Sequence, residues 1–294
     1  MVTVGSILGG TFRFTRDNIG AILVWSAILF AVSLVSMLTM QPFYAQQAAA
    51  AQSGAAAMPN LGLTAVSGLV FLAVFIVLWA AVYRAILFPE ERRAFYLRFG
   101  MDEVRLLGTF LVLIVGGILI TMLFSVAVTL LVGLLSVVMG VGAAGLISGL
   151  LVIVLVGAWI FLGVRLSLAG PLTILQRKVI IGPSWRATRG NFWRLLGAYV
   201  LIALLVSLAY LIVMGVQMGS ILGDMMRPTD PAAHARVLAW QAAHHGFSAA
   251  GLISAIVGGL LGGFAVALQA GSTGIATAQL LDRRGQQHLS EVFE

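Results

Sequence analysis

The sequence predicts an all-α integral membrane protein with six transmembrane helices, on the strength of three observations. Hydrophobic residues make up 61% of the 294 residues and charged residues only 9%, a balance that lies outside the range of soluble domains. Uncharged apolar runs recur along the chain and reach the ~20 residues that a helix needs to cross a bilayer. Lys and Arg gather in alternate connecting segments, as expected when those segments share one side of a membrane.

The apolar runs give the elements in chain order. With approximate ends for the second and fifth, they are Ile19 to Met40, Leu63 to Tyr83, Leu106 to Val164, Leu195 to Gly223 and Ser248 to Leu281. The third run is too long for one helix, so we expect it to fold back on itself. Three of the eight residues in VMGVGAAG, residues 138–145, are glycines, which lower helix propensity and allow turn geometry. A reversal there brings the number of spans to six.

The distribution of Lys and Arg predicts the orientation. Of the 17 basic residues, 15 lie in segments assigned to one side, and only Arg227 and Arg236 lie in the opposite loops. The positive-inside rule therefore places both termini in the cytoplasm. The first apolar run has 22 residues, more than the roughly 7–15 of a secretory signal, so we expect a retained transmembrane helix.

A basic, aromatic segment recurs before three of the spans. FRFTRDN, which ends at Asn18, matches WRATRGN, which ends at Asn191, and Asp102 stands at the equivalent place before the third span. The sequence RLLG then follows both Asp102 and Asn191 at the same distance. Asn and Asp are favoured helix N-caps, so we expect all three residues to begin helices. We call residues 12–18, 98–105 and 185–194 the first, second and third elbows.

The elbows predict three repeat-like units within a single membrane domain that covers residues 1–294. Their caps lie 84 and 89 residues apart, which gives units of approximately 3–90, 91–182 and 183–294. Each unit would hold an amphipathic interfacial helix, a bend and a two-helix hairpin whose second helix returns to a basic residue: Arg84, Arg165 or Arg283. In these interfacial helices, paired arginines three residues apart lie on the same helix face. The aromatic side chains can lie at the depth of the lipid headgroups, as surface-lying amphipathic helices require.

The elbow arginines are the candidate ligand-binding residues, and two interpretations of them stay open. Arginines beside spans can anchor topology by touching anionic phospholipid indiscriminately, each contributing about 1 kcal/mol. Alternatively, the arginines of the second and third elbows form a cytoplasmic pocket for a phosphorylated headgroup or an acidic partner protein. The residues that we predict to bind lipid headgroups are Arg13, Arg16, Arg98, Arg105, Arg186, Arg189 and Arg194.

The spans carry no ionisable residue away from their ends, which argues against proton relays, voltage sensors and many ion-coupled transporters. Small residues suggest where helices pack closely. Gly215, Gly219 and Gly223 repeat along the fifth span, and Gly259 and Gly263 lie in a similar patch on the sixth. We expect these glycines to be helix-packing positions; a flexible helix that opens a path, or a homodimer face, are the alternatives.

The connecting segments predict no metal site and no cofactor. Residues 41–62 are uncharged and rich in Ala and Gln. Residues 224–247 hold two aspartates and three histidines, but their spacing matches no zinc motif, and solvated loop residues explain them. PAAHARVLAWQAAHHG, residues 231–246, is expected to form a short surface helix with Trp240 at the outer interface.

Two classes of function fit this pattern, and neither is enzymatic. No paired carboxylates, nucleophilic triad or phosphate-binding glycine loop occur in the spans. One class is a scaffold or accessory subunit that binds membrane phospholipids with anionic headgroups, with a membrane protein partner or a homo-oligomer as a further expectation. The other is a transporter or flippase of a lipid-like or weakly polar molecule. The net charge of +7 lies beside the spans, which indicates an anionic leaflet and no nucleic acid.

Two stretches carry a family resemblance. RLSLAGPLTI (residues 165–174) closes one predicted hairpin and SWRATRGNFWRLLGAYVLI (residues 184–202) opens the next. This arrangement resembles uncharacterised bacterial inner-membrane proteins that are similar to the membrane domain of glycerophosphoryl diester phosphodiesterases. The soluble phosphodiesterase domain has no counterpart in these residues, so its activity is not carried over. The resemblance implies a bacterial inner-membrane location and a role in lipid or envelope physiology, and it supplies no catalytic residues.

Overall fold

A computed structural model of the chain describes residues 2–53, 61–91, 93–227 and 229–293. These ranges are 87% helix and contain no β-strand, which confirms the all-α prediction. The prediction of a loop over residues 41–62 is wrong for residues 41–53 and 61–62, which are helical. Residues 54–60 of it, and Arg92 among the counted basic residues, lie outside the described residues.

The helices follow the predicted order. They are α1 (Val4–Asp17), α2 (Ile19–Ser53), α3 (Leu61–Leu87), α4 (Met101–Met139), α5 (Val141–Leu166), α6 (Ala169–Gln176), α7 (Gly182–Ala187), α8 (Phe192–Met218), α9 (Leu222–Met225), α10 (Pro231–His245) and α11 (Ala249–Phe293), with a 3₁₀ turn at Arg93–Tyr96. Within the described ranges, six helices are long and apolar enough to cross a membrane: α2, α3, α4, α5, α8 and α11. The prediction of six such segments is confirmed.

The long third run breaks at Gly140, inside the stretch predicted to reverse. Gly140 has φ 82° and separates α4 from α5, a conformation that side chains with a Cβ rarely adopt. Beyond the break α5 packs along α4. The ring of Trp159 covers Gly117, and its Nε1 donates a hydrogen bond to Oγ1 of Thr121 at 3.2 Å.

The chain divides into two compact units. The first consists of Phe99–Gly197 with segments from the two ends of the chain, and the second consists of Gly5–Arg98 with Ala198–Ser272. The three repeat-like units and their hairpins stay a prediction.

In the first unit, α4 contacts both α5 and α6. The hydroxyls of Thr109 and Thr173, both fully buried, share a hydrogen bond of 2.9 Å. Each polar group therefore gains a partner where water is excluded, which is what keeps buried hydroxyls from being destabilising. The side chains of Leu106 and Leu168 are fully buried as well.

In the second unit, α2 is the central helix. It contacts α3 and α10, and the glycines of α11 lie against it. A Cβ on Gly259 would meet the carbonyl oxygen of Ser26 at 2.9 Å, and one on Gly263 would overlap the Ser26 hydroxyl. Trp25 is fully buried, and its Nε1 donates to the carbonyl of Phe95 at 3.2 Å.

The faces that no other helix covers are strongly apolar. In α4, Leu123 is 73% exposed and Val137 is 85% exposed. Apolar surface of this extent is typical of lipid-facing helices and is rare on soluble monomers. Its presence on the long helices agrees with their assignment as membrane spans.

Candidate functional site

The first elbow joins α1 to α2 at Asn18, the predicted residue. Its side chain does not act as predicted, however, because Nδ2 donates back to the carbonyl of Phe14 at 3.0 Å. The side chain of Asn18 therefore serves the end of α1, while its carbonyl accepts from the N–H of Ile22 at 3.0 Å at the beginning of α2. Arg13 and Arg16 are exposed, and Nε of Arg16 lies 3.2 Å from a carboxylate oxygen of Asp17.

The second elbow begins its helix two residues earlier than a cap at Asp102 requires. Gly100 is the N-cap of α4, and its N–H donates to Oε2 of Glu103 at 2.9 Å. The prediction that Asp102 caps the helix is wrong, because Glu103 reaches back to satisfy the cap and leaves Asp102 inside the first turn. There Asp102 accepts a hydrogen bond from Nη1 of Arg105 at 3.0 Å.

Arg98, in the same elbow, pairs with the carboxylate of Glu91. Both arginines of the second elbow thus have an acidic partner from their own neighbourhood. The pair of Arg98 with Glu91 is exposed and that of Arg105 with Asp102 is half-buried. Surface pairs of this kind contribute little to stability, about 0–1 kcal/mol. They do reduce the positive charge that Arg98 and Arg105 present to a ligand.

The third elbow has the predicted boundary. Gly190, at φ 82°, allows the turn after α7, and α8 begins directly after Asn191, whose carbonyl accepts from the N–H of Leu195 at 3.0 Å. Its three arginines are exposed, and none makes an ion pair with any residue in the described ranges. They are Arg186, Arg189 and Arg194.

Helix α7 is fastened to the end of α5. The hydroxyl of Ser184 donates to the carbonyl of Arg165 at 2.8 Å, and that of Thr188 lies 3.5 Å from the same oxygen. Ser184 and Thr188 are both fully buried. The last carbonyls of a helix lack partners within it, so these hydroxyls complete the end of α5 and fix the third elbow beside it.

This attachment surrounds the guanidinium of Arg165 with aromatic rings. Its Cζ lies 5.1 Å from the ring centroid of Phe161, 5.4 Å from that of Trp185 and 5.8 Å from that of Phe192. Cations within about 6 Å of a ring face are attracted to it, by about 2 kcal/mol when water is excluded. The rings therefore stabilise a positive charge at the end of α5.

The guanidinium of Arg165 has no acidic partner within the described ranges. Its Nε and Nη1 are buried and make no hydrogen bond there. A cavity of about 520 Å³ lies alongside, lined by Arg165, Phe161, Phe192, Trp193 and the aliphatic Leu196. Burying a charge without a counter-charge is costly. The arrangement is therefore suited to an anion whose apolar part enters the cavity.

Sequence reasoning missed Arg165 as a binding residue and placed it only as the basic residue that ends the fourth span. One local signal was available, since Phe161 lies four residues earlier and so on the same helix face. The other rings come from α7 and α8, and their approach depends on the hydroxyl bonds of Ser184 and Thr188. The five-arginine pocket of the second and third elbows stays a prediction.

The predicted packing glycines lie in different surroundings. Gly259 and Gly263 of α11 face α2, as described above. Around Gly215 and Gly223 no described atom lies within 4 Å of the place a Cβ would take, and Gly219 is close only to backbone oxygens of its own segment. Of these three, only Gly215 lies in α8, which ends at Met218, and the packing role of Gly215, Gly219 and Gly223 stays a prediction.

The segment with the histidines forms the surface helix that was expected, α10. Asp230 is its N-cap, with a carboxylate oxygen that accepts from the N–H of Ala232 at 2.9 Å. Asp224 makes a two-bond ion pair with Arg236, at 2.6 and 2.8 Å. The Arg236 guanidinium holds the pKa of Asp224 below its ordinary value. The described residues hold no group of three or more His, Asp or Glu side chains that fits a metal ion.

The fold and this site define a class of protein. Six long apolar helices indicate an integral, multi-pass α-helical membrane protein, and an aromatic-caged arginine lies at the end of one of its spans. Comparison with protein-family models, with curated proteins and with solved structures finds no match to this chain.

Proposed function

We propose that the protein is a non-enzymatic, multi-pass protein of a bacterial inner membrane that binds anionic phospholipid headgroups, as a scaffold or accessory subunit. The observation that carries the proposal is the guanidinium of Arg165, which three rings enclose and no carboxylate in the described ranges neutralises. A phosphate supplies the missing negative charge. Arg is well matched to phosphate because its planar fork can donate two parallel hydrogen bonds.

The surroundings of Arg165 suit a lipid better than a free anion. The cavity wall is apolar apart from the arginine, with Phe161, Trp193 and Leu196 among its lining residues. Acyl carbons next to a phosphate would contact these side chains, whereas inorganic phosphate would leave them unfilled. The exposed arginines of the third elbow lie in the segment that also carries Trp185 and Phe192. Each of them attracts an anionic membrane surface by about 1 kcal/mol.

The same proposal includes the finer topology, with three hairpin units and both termini in the cytoplasm. Its support is the placement of 15 of the 17 basic residues in segments that an even number of spans puts on one side. This side includes Arg165 and the third elbow, where anionic lipids of the inner leaflet are accessible. The resemblance to glycerophosphodiesterase membrane domains is a second support for a role with lipids.

The test is native mass spectrometry of the protein released from nanodiscs that contain equal amounts of phosphatidylglycerol and phosphatidylcholine. We expect the wild type to retain phosphatidylglycerol preferentially. Arg165→Gln should reduce that preference about tenfold, since a hydrogen bond to a charged group contributes roughly 1.5–3 kcal/mol. Arg165→Lys keeps the charge but loses the planar fork, so it should retain an intermediate preference.

Arg227→Gln is the matched control, because Arg227 is one of the two basic residues predicted on the opposite side. It should leave the lipid preference unchanged. An Arg165→Gln protein that is folded and still prefers phosphatidylglycerol as the wild type does would contradict the proposal. Equal losses in Arg165→Gln and Arg227→Gln would point to indiscriminate topology anchors instead.

A transporter or flippase is the second candidate, and a different observation favours it. The second unit holds a cavity of about 360 Å³ whose lining includes Ser33, Ser36 and Gln217, polar groups that a weakly polar substrate can use. The check is a dithionite assay of a fluorescent glycolipid with an uncharged head in proteoliposomes. Transbilayer movement faster than in protein-free vesicles, and lost in Gln217→Leu, would support the transporter over the scaffold.

A further inference from the structure

The cavity of the second unit carries an inference that does not depend on Arg165. It lies where the C-terminal half of α2 meets α10, with the end of α8 and the beginning of α11 contributing to its wall. Its volume of about 360 Å³ is at the lower end of the range for small-molecule sites, about 300–1,000 Å³. A cavity of this volume can hold the small headgroup of an amphiphilic molecule and the first carbons of one hydrocarbon chain.

Part of the lining is polar, and it carries no carboxylate, guanidinium or ammonium group. Hydroxyls come from Ser33, Ser36 and Ser254, and an amide comes from Gln217. Without a formal charge in the wall, an ionic head would lose its hydration with no compensating charge. The cavity is therefore suited to an uncharged molecule.

One histidine gives the cavity a hydrogen-bond acceptor. Nδ1 of His244 lies 3.0 Å from the carbonyl oxygen of Trp240. A carbonyl only accepts, so Nδ1 carries a proton, and in the Nδ1–H tautomer Nε2 is an acceptor. A ligand with a hydroxyl can donate to Nε2 and accept from the amide of Gln217.

The aromatic rings of the cavity do not favour a cation. Trp240 stacks on His244, with centroids 4.1 Å apart and planes at 20°, and Tyr44 stacks on His245 at 5.5 Å and 12°. Each ring thus has one face covered by an imidazole. Recognition of quaternary ammonium groups uses open aromatic faces around the charge, and two of the faces here are occupied.

We infer that this cavity binds an uncharged, single-chain amphiphile whose head carries a hydroxyl, the chemistry of a monoacylglycerol. The head hydrogen-bonds with His244 and Gln217. The first carbons of the chain lie against the apolar part of the wall, which includes Met37 and Met40.

The experiment uses a monoacylglycerol with a brominated chain, titrated into the full-length protein in phosphatidylcholine nanodiscs. Bromine quenches tryptophan fluorescence on contact, and Trp240 lines the cavity. We expect a saturable quenching component in the wild type that is absent in Trp240→Phe. The same brominated chain with a permanently charged sulfate head should not produce that component.

Two variants test the assigned contacts. Gln217→Leu removes the amide at nearly constant volume and should weaken apparent affinity about tenfold, the loss expected for one good hydrogen bond. Ala255→Phe, at a buried position in the wall, should fill the cavity and abolish the saturable component. Ile253→Phe, on the same helix but 61% exposed, is the matched control and should bind as the wild type does.

Equal quenching by the neutral and sulfate amphiphiles would overturn the inference, as would wild-type affinity in folded Gln217→Leu. Equal quenching would mean simple partitioning into the bilayer, and unchanged affinity in Gln217→Leu would mean that the amide does not bind the head. Neither outcome affects headgroup binding at Arg165, because the two tests use different residues and different lipids.

Discussion

Two arginines that end their spans, Arg84 and Arg165, show how much surroundings decide the role of a residue. Arg84 is 2% exposed, and its Nη1 donates to the carbonyl of Tyr96 at 3.2 Å, so it holds the 3₁₀ turn to α3. Arg165 instead faces aromatic rings and a cavity. The sequence presents both in the same way, as the basic residue at which a span returns. Only the contacts separate a structural clamp from a candidate binding residue.

Arg84→Gln is expected to destabilise the second unit. The substitution removes the guanidinium that donates to the Tyr96 carbonyl. A buried carbonyl oxygen that loses its donor lowers the free energy of unfolding by about 1–3 kcal/mol. Thermal unfolding in detergent should show a Tm lower by roughly 3–10 °C. Arg93→Gln, at an exposed residue of the same turn, is the control; a Tm for Arg84→Gln equal to that of Arg93→Gln would refute the clamp.

The Asp224–Arg236 pair predicts a pH dependence for the attachment of α10 to α9. The pKa of Asp224 is lowered in the folded protein, first by its hydrogen bond from Arg236. A carboxyl whose pKa is lowered in the folded protein contributes stability that is present when the pH is above its ordinary pKa, about 3.8 here. That stability is lost as the pH falls through the pKa of the folded state. Hydrogen exchange of α10 should therefore accelerate below about pH 3.8, and Arg236→Gln should remove most of this change. Exchange that is independent of pH, after correction for the intrinsic rate, would contradict the role of the pair.

At the scale of elements, helix ends and helix contacts follow from backbone geometry that few residues allow. Gly140 separates α4 from α5 at φ 82°, and the close approach of α11 to α2 leaves no room for a Cβ at Gly259. Both positions were marked by glycine-rich sequence, but so were Gly142 and Gly258, which lie inside helices with open space around them. Glycine content predicted the regions, and it did not identify which glycine is required.

Gly140→Ala should destabilise the first unit, because φ 82° with ψ 163° is a conformation essentially restricted to glycine and costs about 1–3 kcal/mol for a residue with a Cβ. Gly142→Ala should be neutral or stabilise α5 by up to about 1 kcal/mol, since Ala has the higher helix propensity. Thermal unfolding of the two variants side by side measures the difference. If both variants changed Tm equally, the claim that position 140 requires glycine because of its positive φ would be contradicted.

Gly259→Ala should loosen the contact between α2 and α11. The new Cβ would lie 2.9 Å from the carbonyl oxygen of Ser26. We expect the relief of this clash to cost about 1–3 kcal/mol of folding free energy. Gly258→Ala has open space and serves as the control. A disulfide-trapping experiment with cysteines placed on α2 and α11 would show slower cross-linking in Gly259→Ala only; equal rates in both variants would contradict the packing.

At the scale of the whole molecule, the spans were predictable because bilayer thickness fixes their length and the apolar runs are long. The helix break at Gly140 followed from the same length limit. The cap of α4 was not predictable from Asp102 alone, because Glu103, one residue further on, competes for the same helix end and reaches Gly100. The surroundings of Arg165 were beyond local sequence patterns, since Trp185 and Phe192 reach it only through folding of segments 20 and 27 residues away.

The central claim is that an anionic phospholipid headgroup binds beside Arg165, and site-resolved photocrosslinking tests it most directly. A phosphatidylglycerol with a photoreactive group near the phosphate would be incorporated into membranes with the wild-type protein, and the crosslinked residues would be mapped by mass spectrometry. We predict that crosslinks concentrate on Phe161, Trp185 and Trp193 and largely disappear in Arg165→Gln. Crosslinks spread evenly over all the basic segments, and unchanged in Arg165→Gln, would contradict the account.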